Sequence, residues 1–265
     1  MALTRKLRTV GRVIGTFGYR EITRIIFRKF YDFFVWRDKD SDPLEISGLQ
    51  IISTHIQINK FFLHNEYDSN EEILLFHKIL DDSIPSLKLK RKGFFDSRYD
   101  IGELALFCIY QILSNTNTRL VLETGVAAGK STAFILRNFL NTEVEGRTSK
   151  LVSTDITVNC GELIPEDLKK YWTFEKLSGN IKKQFIDVVK KNRQIELFIH
   201  DSNHTAKWEM FELLTVLKYC ENLRYIIVDD VQANVVHKLR NLDWKVCLLK
   251  DGEKISLLAI KNQLA

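Results

Sequence analysis

Val121-Leu122-Glu123-Thr124-Gly125-Val126-Ala127-Ala128-Gly129-Lys130-Ser131-Thr132 is the stretch on which the reading of this chain turns. Residues 119–123 have the apolar run of a buried strand, and the apolar spacing from 130 to 140 is that of a helix. Between them two glycines bracket small residues, so the backbone can turn sharply and a ligand can approach with no Cβ in the way. Small residues also suit a tight turn for packing alone, so the glycine pair by itself is a weak signal.

Working outward, a helix at 102–113 leads into this strand. Further strands follow at 151–155, 172–177, 196–200 and 225–229, with helical stretches at 180–191 and 206–219. Strands alternating with helices require a parallel sheet with helices on both faces. The last two strands, 244–249 and 255–260, are joined by Asp251-Gly252 and form a hairpin. The expectation is therefore an α/β, Rossmann-like fold: a mostly parallel seven-stranded sheet ending in one antiparallel strand. An N-terminal extension over 1–94 precedes the domain at 95–265; it contains an acidic helix candidate near 69–82 and a linker with Pro85 and the basic run 88–92.

Apolar residues make up 45% of the chain, which argues against extensive disorder. The net charge of +5 is concentrated: residues 1–40 hold ten Lys/Arg and four Asp/Glu, leaving 29 basic and 30 acidic residues elsewhere. Attraction to phosphate or lipid headgroups thus belongs to the N-terminal arm, and no nucleic-acid partner is expected of the body. Over 19–36, Ile22, Ile25, Ile26, Phe30, Phe33 and Phe34 fall at helical spacing while Arg20, Arg24 and Arg28 share another face. Such a basic helix packs on the main domain or on a second copy in a homo-oligomer, the favoured reading, or lies on an anionic membrane surface. Cys108, Cys160, Cys220 and Cys247 form no CxxC pair and read as thiols in a reducing compartment. No apolar run approaches the ~20 residues that span a bilayer, and no leader pattern is seen, so a cytoplasmic protein is expected, membrane-associated if the basic helix binds lipid.

Two ligands compete for the glycine turn. Thr124–Ser131 is close to the phosphate loop G-x-x-x-x-G-K-[ST], with Thr124 in place of the first glycine, and 226–230 is an apolar strand ending in Asp. Thr124 restricts the curve of amides that a phosphate needs, and the Glu123 carboxylate repels phosphate. A cationic ligand reverses that last argument. S-adenosylmethionine (SAM), with its sulfonium and ammonium, suits an acid at the end of the first strand, and Asp155 at the end of the next is placed to accept from ribose hydroxyls. An end-of-strand Asp also serves as a turn or cap residue.

Asp201 and His204 lie just past the strand 196–200, and Asp229 and Asp230 close the strand 225–229. Ligands of open α/β sheets bind along that carboxyl edge. Three carboxylates in one cleft call for a cation, and hard oxygens suit Mg2+, with Mn2+ or Ca2+ as alternatives. The ion would lower the pKa of an acceptor hydroxyl, and His204 would take its proton. The bland alternative is that Asp201 or Ser202 caps the helix starting near Thr205. His200 faces away from Asp201 on an extended segment and is given no role.

The block 120–136 resembles motif I of class I SAM-dependent methyltransferases, in particular the metal-dependent macrolide-sugar and rhamnosyl O-methyltransferases, and the similarity extends over about 96–260. The resemblance implies SAM contacts at Glu123, Gly125, Ser131 and Asp155, with Thr124 and Gly129 in the same turn. It implies that Asp201 is a metal ligand and His204 the base, and that Asp229 and Asp230 complete the ligands. The implied partner is a small-molecule or glycan acceptor.

Overall fold

The computed structural model describes residues 48–63, 69–83, 95, 100–142 and 148–262. The basic helix expected at 19–36 and the linker around Pro85 and 88–92 lie outside them. All described residues belong to one compact unit, Pro43–Ala265.

In chain order the elements are β1 (Gln50–Ile52), α1 (His55–Leu63), α2 (Ser69–Ser83), α3 (Glu103–Asn115), β2 (Leu120–Thr124), α4 (Lys130–Asn141), β3 (Lys150–Asp155), β4 (Trp172–Lys176), α5 (Ile181–Lys191), β5 (Leu197–His200), α6 (Ala206–Tyr219), β6 (Tyr225–Val228), α7 (Ala233–Arg240), β7 (Trp244–Asp251) and β8 (Lys254–Lys261). A 3-10 turn at Glu166–Tyr171 precedes β4. No helix among the described residues is long and apolar enough to cross a membrane.

The sheet is eight-stranded, in the order β1-β7-β8-β6-β5-β2-β3-β4. Its parallel core is β6-β5-β2-β3-β4, and β8 alone runs antiparallel, against both β6 and β7. Two expectations need correction. The antiparallel strand lies inside the sheet, because the β7–β8 hairpin folds back and seats β8 against β6. The eighth strand is β1, from the segment expected to be a helical extension; it pairs parallel with β7, Gln50 opposite Cys247, and satisfies backbone groups that an edge strand leaves open.

Burial on both faces of the central strands is what a parallel sheet between helix layers requires. Val121, Leu151, Leu197 and Ile199 point to a core built with α1 to α4, including Phe76, Phe107, Phe134 and Phe139. Leu122, Val152, Phe198 and Ile226 point to the other, built with α5 to α7 and including Phe185, Leu213 and Val236. Cys108, Cys220 and Cys247 are buried and Cys160 is half-buried, all as free thiols.

Between β2 and β5 the direction of strand addition reverses. Such a switch point leaves a crevice at the carboxyl ends of the two strands, and the turn after β2 and the segment after β5 both open there.

Candidate active site

The glycine turn is held by its own backbone and by Asp155. Gly125 N donates to Thr154 O at 2.9 Å and Gly129 N to Val126 O at 2.7 Å. Val126 N and Ala127 N donate to Asp155 Oδ2 at 2.9 and 3.3 Å, and Asp155 Oδ1 accepts from Thr157 N at 2.7 Å. A phosphate loop must leave amides of this kind for its anion; here a carboxylate already takes two of them. Lys130, the residue that would reach a nucleotide phosphate, lies 4.0 Å from Asp100 Oδ2. The phosphate-loop reading loses its physical basis.

Both glycines are needed. Gly125 has φ +83° and a Cβ there would sit 1.9 Å from Asp201 O. Gly129 has φ +94°, and a Cβ would meet the Gly161 Cα at 2.9 Å, where the loop after β3 packs on the turn.

Glu123 is fully buried. Its Oε1 accepts from Ser131 Oγ at 2.5 Å, and its Oε2 from Thr132 Oγ1 and Ser153 Oγ, each at 2.7 Å. Burial raises its pKa although these hydroxyls oppose the shift. These bonds form a knot that ties β2 to α4 and β3. Thr124 points elsewhere, donating through Oγ1 to Glu212 Oε2 at 2.8 Å.

At the ends of β5 and β6, ligand-capable atoms of Asp201, His204 and Asp229 lie within 4.8 Å of one another. His204 Nε2 is 3.8 Å from Asp201 Oδ1. Two carboxylates at this spacing fit a hard divalent ion such as Mg2+. Asp230, at φ +46°, falls outside that group, though its charge reaches Asp201 and Lys254. Burial, then the charge of Asp229, raises the Asp201 pKa well above the ordinary carboxylate range. Burial, then His200, lowers that of His204 to about 4, so the ring is neutral near pH 7. Neither Asp201 nor Ser202 caps α6: its N-cap is Thr205, whose side chain makes no capping bond, while Ser202 Oγ turns to Glu212.

Residues 122–231, spanning the glycine turn, Asp155, Asp201, His204 and both aspartates after β6, match the family described as "Methyltransferase domain". Residues 122–231 are thus a methyltransferase domain. No curated protein sequence matches the chain significantly. Among solved structures it is similar to SAH-bound Podospora anserina methyltransferase PaMTH1 (11% identity, 75% of this chain and 97% of that one, TM-score 0.46). It is also similar to CalS11, a TDP-rhamnose 3'-O-methyltransferase (15%, 75% and 97%, TM-score 0.45), and to MycE in complex with Mg, SAH and mycinamycin VI (12%, 79% and 63%, TM-score 0.44). Likeness at such scores carries no weight on chemistry.

The cleft and its surroundings contain groups that sequence reasoning missed. Lys254, on the hairpin strand β8, places Nζ 3.3 Å from Asp229 Oδ2, while Ser256 Oγ donates to Asp229 Oδ1 at 2.7 Å. Burial works against the lysine's charge, but Asp229 and Asp201 outweigh it and raise its pKa. His200, given no role above, is buried with Nδ1 2.6 Å from Glu212 Oε2; burial would lower its pKa, but that bond and charge outweigh it and raise it. Glu209, on the first turn of α6, is pushed up to about 7 by burial, with His200 opposing. A histidine followed nine and twelve residues later by glutamates on one helix face was the available signal.

Proposed function

We propose that this chain transfers the methyl group of SAM to a hydroxyl of a sugar or other small polyol-bearing molecule, with His204 as general base and Mg2+ held beside it. What carries the reading is the meeting of two segments at the switch point: Asp201 N donates to Thr124 O at 2.9 Å, so the glycine turn and the Asp201–His204 pair open on one crevice.

When bound, SAM supplies an electrophilic methyl group on a positively charged sulfur. Asp155 stands at the end of β3, with lone pairs beyond those spent on the turn, to accept from the ribose hydroxyls. Gly125 and Gly129 keep the turn open to the donor, and Glu123 acts through Ser131 and Thr132, whose positions it sets. Asp201 and Asp229 would hold the divalent ion, with Asp230 adding charge from the side; that ion would supply Lewis acidity to the acceptor hydroxyl. His204, neutral at neutral pH, is in the form that accepts a proton. The rest of the acceleration is positioning of hydroxyl against methyl. Residues 95–265 carry every group named, and 1–94 add β1 and the basic arm.

Titration calorimetry on the full chain tests this. One equivalent of SAH should bind and ATP should not, and Asp155→Ala should weaken SAH by on the order of 100-fold, the worth of hydrogen bonds to a charged group. A screen of sugar acceptors with SAM and MgCl2 should then give methyl ethers whose formation falls in His204→Gln. ATP binding without SAH binding would reject the reading.

A further inference from the structure

Behind the cleft, three polar atoms face one another and none has a hydrogen-bond partner: His200 Nε2, His204 Nδ1 and Glu209 Oε1. They lie within 4.8 Å of one another, Glu209 Oε1 being 4.0 Å from His200 Nε2 and 3.9 Å from His204 Nδ1. The side chains of His200 and Glu209 are each 1% exposed. Each such orphan is costly to bury, and three aimed at one point share one remedy. The separations are too long for direct hydrogen bonds and leave room for an atom between.

We propose that His200, His204 and Glu209 form a transition-metal site, with Zn2+ as the favoured ion. Two imidazoles and one carboxylate form a donor set that suits zinc and its first-row neighbours and not Mg2+. Bonds of ~2.0–2.1 Å set tetrahedral ligands about 3.3 Å apart, so Glu209 Oε1 needs to close on each ring nitrogen by roughly 0.6 Å.

The surroundings are built as those of metal ligands are. Glu212 holds His200 Nδ1 at 2.6 Å, which leaves Nε2 turned to the site. Glu212 is itself fixed by Thr124 Oγ1 at 2.8 Å and Trp208 Nε1 at 2.7 Å. Glu209 Oε2 accepts from Gln232 N at 3.0 Å, so Oε1 is the oxygen presented. The site is distinct from the Asp201–Asp229 pair and shares only His204, which turns Nε2 to Asp201 and Nδ1 to Glu209.

That sharing has a regulatory consequence. An imidazole bound to a metal through Nδ1 carries its proton on Nε2, the nitrogen facing the cleft. It then presents a donor where methyl transfer needs an acceptor, so zinc would silence the base. This consequence rests on the reading of His204 as general base; the site does not, and the experiment reads occupancy alone.

Full-length protein stripped with EDTA is titrated with CoCl2 and followed by its visible ligand-field absorption. One equivalent should bind, and Zn2+ should displace it. His200→Gln and Glu209→Gln should each weaken binding by more than the ~10–100-fold typical of an outer-shell change, while Asp201→Asn and Asp229→Asn leave it unaltered. X-ray absorption at the zinc edge of the wild-type protein serves where a variant fails to fold: two imidazoles per zinc are expected. One imidazole per zinc would put the ion in the Asp201–His204–Asp229 group and overturn the proposal, as would loss of the cobalt band in Asp201→Asn or no Co2+ bound.

Discussion

Gly125 and Asp201, 76 positions apart, meet so closely that a Cβ on the glycine would lie 1.9 Å from the Asp201 carbonyl oxygen. The glycine turn and the Asp201 segment are thus packed backbone to backbone, and the crevice between β2 and β5 depends on one missing methyl group. Gly125→Ala should cost at least about 3 kcal/mol, since backbone must move and φ +83° is strained for alanine. Urea unfolding checks this, with Gly252→Ala as control: its φ is +63° but nothing lies within 4 Å, so only the left-handed strain of about 1–2 kcal/mol applies.

Glu123 holds three hydroxyls at once. Glu123→Ala removes the acceptor of Ser131, Thr132 and Ser153 inside a closed space, and a loss on the order of 3 kcal/mol follows. SAH affinity measured by calorimetry should fall with it, because Ser131 and the start of α4 lose their anchor. Unchanged stability would mean that the knot does not support the turn.

His204 should make folding less stable on acidification, where an exposed histidine leaves it unchanged. Its folded pKa, about 4, lies below its ordinary value of 6.5. The unfolded chain therefore takes up a proton as pH falls through 6.5, and the folded chain does so only near 4, so folding loses stability across that window on acidification. The drop in urea midpoint from pH 7 to pH 5, in EDTA, should be smaller in His204→Gln than in wild type. The His204 ring stays neutral down to about pH 4, so under the proposed role as base any acid limb that it imposes on the rate should lie there.

Lys254 is the site's own cation. Lys254→Met removes the cation beside Asp229, which keeps its bond from Ser256 Oγ but lies buried near Asp201, and in EDTA stability should fall by about 1–2 kcal/mol, between the values for exposed and buried pairs. Excess Mg2+ should restore most of it by supplying the missing charge. Thermal melts with and without MgCl2 check this, and equal losses in both would count against a metal between the aspartates.

Much of the layout of this sheet edge is legible in the sequence, and the reason is local. The apolar runs and the Gly125–Gly129 turn specify βα units whose strand ends, by general topology, share one edge. That alone places Glu123, Asp155, Asp201 and Asp229 on the carboxyl side of the sheet. The antiparallel character of β8 followed from Asp251-Gly252 in the same way.

Which element lies beside which is a matter of long-range pairing, and there local pattern is silent. Gln50–Ile52 is too short to announce a strand, and only its pairing with Cys247 to Leu249 makes it one. Lys254 looks like any lysine at a hairpin until β8 seats against β6 and brings it to Asp229. The same holds for His200: alternation along β5 turns it away from Asp201, and only the packing of α6 decides that it turns toward two glutamates and the far nitrogen of His204. Sequence determined the units and the edge where their chemistry gathers, because both depend on neighbours in the chain. Tertiary structure decided which buried charges face one another, because that depends on neighbours in space.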